Sequence, residues 1–162
     1  VEGPLGTVVA EALGVTKPAM KSAEAQRILV GVDGSEGSRR AALYARDLAR
    51  VTHAHLTLLH VIEPLPSGPL TAFEEPLTEY YAKQMKWATD YLDELAREID
   101  VRAEEVVEMG RPSDVICREA HERHADLIVV GSHGLSPGAR LLLGSVGSRV
   151  AANASTSVTI VR

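Results

Sequence analysis

The stretch GSHGLSPGARLLLGS, residues 131–145, has the residue types of a phosphate cradle. It carries Gly131, Gly134, Gly138 and Gly144 and ends in Gly144-Ser145, just before a short helical pattern. Gly131 and Gly134 can take positive φ and let main-chain N–H groups approach a ligand with no Cβ in the way. Ser145 reads as the N-cap of the next helix, whose first-turn N–H groups have no intrahelical partners. Such a terminus attracts an anion by about 0.3–1 kcal/mol through the helix dipole, with direct hydrogen bonds added. Gly147, in that first turn, keeps the end open at a cost of roughly 0.8–1 kcal/mol relative to alanine, which implies an offsetting gain. The chain contains no Gly-Lys pair, so this is not a Walker A loop. Arg140, the one fixed cation of the stretch, reads either as a solvated loop charge or as a phosphate contact. On spacing alone, a flexible connection explains these glycines equally well.

A second specialised loop is GVDGS, residues 31–35. Asp33 there closes an apolar run and has two readings. It could cap the turn DGSEGS, which offers suitable N–H groups, or it could face a ligand. The histidines His53, His55, His60, His121, His124 and His133 show no catalytic or metal-binding pairing. His133 lies inside the glycine stretch and is a candidate lining residue. Cys117 reads as a small core residue. No residue near either loop reads as a strong general base, and there is no P-loop lysine. No catalytic residue is therefore assigned, and a phosphate ligand held there is expected to be hydrolysed slowly at most.

These loops need elements to hold them. RILVGVD (27–33), AHLTLLHVI (54–62), AEEVVEM (103–109), ADLIVV (125–130) and SVTIV (157–161) read as strands. Helical spacing covers 38–52, 77–100, 112–124 and about 145–153. In the longest helix, Leu77, Tyr81, Ala88, Leu92, Leu95 and Ile99 share one face. Apolar strands alternating with helices mean an α/β fold: one open, Rossmann-like, five-stranded parallel sheet with helices on both faces. Order 3-2-1-4-5 would set strands one and four side by side, with connections leaving in opposite directions. Ligands bind at such a switch point, beyond the carboxyl ends of the strands. Residues 63–76, with four prolines, read as a long loop. Residues 1–23 lack a clear period and are expected to be a mobile extension ahead of one domain, 24–162.

The net charge of −5 argues against general nucleic-acid binding. A single cysteine excludes an internal disulfide and a multi-cysteine zinc site, and fits a reducing cytoplasm. No apolar run approaches the ~20 residues that span a bilayer. VEGPLGTVVAEALGV is a poor signal peptide, because it has no basic start. The expectation is a cytoplasmic protein with neither nucleic acid nor membrane as partner.

The spacing Gly131-x-x-Gly134, nine residues, then Gly144-Ser145 resembles the G-2x-G-9x-G-[S/T] signature of ATP-binding universal stress proteins. RILVGVDGSEGS, LLHV, GRPSDVI and ADLIVVGSHG resemble other segments of that family, so the resemblance covers about residues 26–162. It implies an adenine nucleotide (ATP, or ADP or AMP) as ligand. Asp33 would reach the ribose. Gly31, Val32 and Val61 would form the adenine pocket, and Gly131 and Gly134 would lie along ribose and phosphates. Gly144, Ser145, Val146 and Gly147 would hold the phosphates. Mg²⁺ would bridge phosphate oxygens, since no protein cage for it is evident. The resemblance also implies a homodimer through the C-terminal strand. Two departures stand out: Gly147 where relatives often have Ser or Thr, and Ser157 where many have Pro. A non-catalytic interaction module without nucleotide, or an adenylating enzyme on a related scaffold, is the alternative. A receiver-like phosphorylation domain is set aside, because Gly110 and Arg162 stand where it needs Asp and Lys.

Overall fold

A computed structural model describes residues 26–65, 76–132 and 144–162. Residues 1–25, including the expected extension, lie outside the described residues. Among the described residues nine elements alternate: β1 (Arg27–Val32), α1 (Glu36–Thr52), β2 (His55–Ile62), α2 (Leu77–Ile99), β3 (Ala103–Met109), α3 (Pro112–Glu122), β4 (Leu127–Gly131), α4 (Ser145–Asn153) and β5 (Ser157–Val161). The strands form one sheet in the order β3-β2-β1-β4-β5, and every neighbouring pair is parallel. The expected fold class and strand order are therefore present.

Each face of the sheet has its own core. Ile28, Val30, Val32, Leu56 and Leu58 point toward α1 and α2, where Ala41, Ala45, Leu92 and Ile99 meet them. Leu29, Leu59, Ile128 and Val130 point to the other face, against Val115 and Ile116 of α3 and Val150 of α4. Period-two alternation does this: neighbouring β1 residues serve opposite cores, so the strand reads as continuously apolar. Each fully buried Leu or Ile contributes roughly 1.5–3 kcal/mol. The side chains α1 turns to the sheet are alanines, Ala41, Ala42, Ala45 and Ala49, all buried. Small side chains let this helix sit close on β1 and β4.

The helix ends follow local chemistry. α1 starts at Glu36 because Ser35 caps it: the Ser35 hydroxyl accepts the Ser38 N–H at 3.1 Å. It stops at His53, in the left-handed conformation, whose N–H donates to Ala49 O. α3 starts with Pro112 at its first position, where the missing N–H is not needed.

The two sheet edges differ. β3 exposes Glu104 and Glu105, charges that discourage pairing with another strand. β5 has only Ser157 exposed, with Val158, Thr159, Ile160 and Val161 half-buried.

Candidate functional site

The carboxyl ends of β1 and β4 meet at the switch point. Gly31 pairs with Val130 across them. The β1–α1 turn is closed by Asp33, whose Oδ1 accepts the Ser35 N–H at 3.0 Å and the Ser35 hydroxyl at 2.6 Å. The Asp33 N–H in turn donates to Ser38 Oγ at 3.2 Å. The turn-capping reading of Asp33 is thus realised. Asp33 remains half-buried rather than sealed.

Gly131 ends β4 directly against this turn. A Cβ there would lie 2.7 Å from Gly37 C and 2.9 Å from Ser38 N. Gly131 is not a positive-φ glycine; among the described residues those are Gly34 and Gly110. The need for glycine at Gly131 is therefore steric, set by α1's main chain, and not the left-handed freedom allowed by the sequence. Gly31 is similar: a Cβ would meet Ile116 Cδ1 at 2.9 Å.

Beyond β4, Ser132 N–H donates to Val161 O at 2.7 Å, and Gly144 N–H donates to Ser132 O at 2.8 Å. Ser132 and Gly144, the residues flanking 133–143, are thus bonded to each other. His133, Gly134 and Arg140 fall within it and lie outside the described residues. Gly144, not Ser145, is the N-cap of α4, with φ −57° and ψ 155° and no side-chain cap. Ser145 is instead the first helical residue and is exposed. The shift removes a competitor, since no cap hydroxyl takes up the first-turn N–H groups. Gly147 is buried in the first turn of α4.

Two adenine-pocket candidates turn their side chains elsewhere. Val32 is buried in the core under α1 and α2, and Val61 packs with the core on the α3 side. Val146 also packs on that second core. Any contact these residues make at the sheet's end is by main chain.

Sequence reasoning missed an aromatic group beside Asp33. His60, on β2, is buried and its Nδ1 lies 2.9 Å from Val32 O, which fixes a protonated Nδ1 as donor. Its ring meets Trp87 edge-on, with centroids 5.3 Å apart. Trp87 stacks on Tyr91 at 5.3 Å and 8°. A Cβ on Gly34, whose φ is +82°, would lie 2.9 Å from Trp87 Cη2. Burial pushes the His60 imidazole below its usual pKa, against smaller upward pulls from the Val32 carbonyl and Asp33. Burial pushes the Tyr91 phenol up. That hydroxyl sits beside Ser38 and Gly34 but makes no hydrogen bond of ordinary geometry. The available signal was a histidine inside the apolar run LTLLHVI.

Residues 24–162 match the model of the universal stress protein family. The chain belongs to the universal stress protein family. A universal stress protein of Thermus aquaticus is 34% identical over 138 residues, covering 83% of this chain and 97% of the relative. The universal stress protein UspA of Lactobacillus plantarum superposes with a TM-score of 0.77 at 26% identity, over 87% of this chain and 100% of that one. A universal stress protein solved in complex with cAMP has a TM-score of 0.66 at 30% identity, over 85% and 97%. An Arabidopsis thaliana member with AMP bound shares the fold, with a TM-score of 0.56 at 22% identity over 84% and 90%. Adenine nucleotides thus occur in solved universal stress proteins. Among the described residues, no three His, Cys, Asp or Glu side chains converge as a metal site. No helix of the described residues is long and apolar enough to cross a membrane.

Proposed function

We propose that this universal stress protein is a cytoplasmic regulatory protein of the stress response that binds an adenine nucleotide, ATP first and ADP or AMP otherwise. The site is the carboxyl ends of β1 and β4. One observation carries the reading: the N-terminus of α4 stands at the switch point without a side-chain cap, within the Gly131/Gly134/Gly144-Ser145 spacing. Its first-turn N–H groups, which no N-cap side chain takes up, suit phosphate oxygens. Asp33, fixed by Ser35 through one oxygen, would turn its other oxygen to the ribose. Gly31, Val32 and Val61 would contact the adenine by main chain, and Gly134 and His133 would lie along the ligand. Gly144, Ser145, Val146 and Gly147 would hold the phosphates. Mg²⁺ would neutralise phosphate charge, held by the phosphates themselves.

Among the described residues none near Asp33 is placed as a general base, which favours holding the nucleotide over cleaving it. A non-binding interaction module is the second reading. It is favoured by one observation: Asp33 already serves the turn. An adenylating enzyme lacks visible acceptor chemistry. We also propose a homodimer through β5, supported by its half-buried apolar edge.

Mass spectrometry of nucleotide released from purified, heat-denatured protein tests the reading. Co-purified ATP, ADP or AMP is expected. Added Mg-ATP at 100 times Kd should stabilise the fold by roughly 2.7 kcal/mol in a thermal shift. No shift at millimolar Mg-ATP would refute it. Gly144→Val should abolish the shift with little loss of fold, because the Gly144 backbone is accessible to any residue.

A further inference from the structure

We propose that Trp87 forms a wall of the nucleotide site and takes the purine by stacking. This rests on the nucleotide reading above and adds a base-contacting residue to it. Trp87 comes from α2, an element that carries none of the glycine signature. Its ring abuts Gly34, the residue next to Asp33.

The ring is braced on its inner sides. Tyr91 stacks beneath it, and the edge contact with His60 holds a second side. His60 is in turn tied to Val32 O, at the end of β1. Yet Trp87 remains 46% exposed, although its partner Tyr91 is half-buried and His60 is buried. A large indole held rigid with an open surface is pre-organised: little rotamer freedom is left to lose on binding. Its place, at the mouth between the carboxyl ends of β1 and β2, is where the base would lie if Asp33 meets the ribose.

α2 is built to present it. At 23 residues the helix is about 34 Å long, longer than the roughly 26 Å of eight-residue β2. Its first turns reach past the carboxyl end of β2, because Tyr81 meets Leu65, three residues beyond Ile62. There the Tyr81 hydroxyl accepts the Leu65 N–H at 3.2 Å. The indole carries no charge, so it selects for the base and not for the phosphates. Stacking of a base on an aromatic ring tolerates different bases, so the wall favours a planar heteroaromatic ring in general.

Trp87 is the single tryptophan of the chain, which makes the test direct. Mg-ATP and adenosine are titrated against intrinsic fluorescence, with binding measured in parallel by equilibrium dialysis. Saturable quenching is expected at the midpoint found by dialysis. Trp87→Ala should weaken ATP and adenosine about fivefold to a hundredfold, and Trp87→Phe by less. Binding of inorganic tripolyphosphate should be unchanged by Trp87→Ala, which separates a base wall from a damaged fold. ATP binding by dialysis without a fluorescence change, and within twofold in Trp87→Ala, would overturn this proposal and leave the nucleotide reading standing. No binding by the unaltered protein would overturn both.

Discussion

At the residue scale, two kinds of glycine share the site. Gly144 leaves an N-terminus uncapped, whereas Gly31 and Gly131 make room for neighbours. Gly131→Ala would push a Cβ into the main chain of Gly37 and Ser38, which cannot rotate away. It should cost about 1–3 kcal/mol in denaturant unfolding, with or without nucleotide. The sequence marked Gly131 as a ligand position, because one-dimensional spacing cannot show that α1's first turn lies on it. His60 carries a pH dependence. Its folded pKa is below the unfolded value of about 6.5, so the unfolded chain binds more protons between the two. Its contribution to stability is complete above about 6.5 and falls as pH drops through that window. Unfolding midpoints between pH 5 and 8 should show this slope, and His60→Asn should flatten it. The aromatic group was illegible for a simple reason: residues 34, 60, 87 and 91 come from three elements that meet only in the folded state.

At the element scale, the strands and helices were largely legible, because burial on both faces and helical periodicity leave strong patterns. The differences sit at the ends. α1 begins at Glu36, two residues before the helical spacing starts at Ser38, because Ser35 caps it and glycine at position 37 still enters the helix. β4 begins at Leu127, since Ala125 and Asp126 are taken up in closing α3 and bonding Arg27. α3 is anchored by Glu119, a buried carboxylate. Burial raises its pKa, but hydrogen bonds from Arg118 and Arg123 outweigh that and hold it low. Arg123 also reaches Glu104 on β3 at 2.8 Å. Glu119→Ala removes the buried carboxylate that holds Arg118 and Arg123 in place, while their own pairs with Glu108 and Glu104 on β3 remain. The arginines are partly exposed and stay solvated, so the loss should be about 1–3 kcal/mol, below that of a fully buried pair. Equilibrium unfolding near neutral pH measures it.

At the scale of the whole molecule, two cores share one sheet, and the crevice forms where the chain changes sides. β1 feeds α1 on one face and β4 feeds α4 on the other, so the last polar groups of both connections face the same space. The dimer proposed through β5 should sediment as a two-chain species at micromolar concentration; monomer alone would refute it. The hydrogen bond from Gly144 N–H to Ser132 O has a consequence for engineering. A segment whose two ends are already joined can be exchanged like a cassette, because each doubling of loop length costs only about 0.6 kcal/mol. A chimera carrying another stress protein's 133–143 equivalent should keep its melting temperature and inherit the donor's ligand preference for phosphate number. Divergence of nucleotide choice within such a family would then need no change in the scaffold.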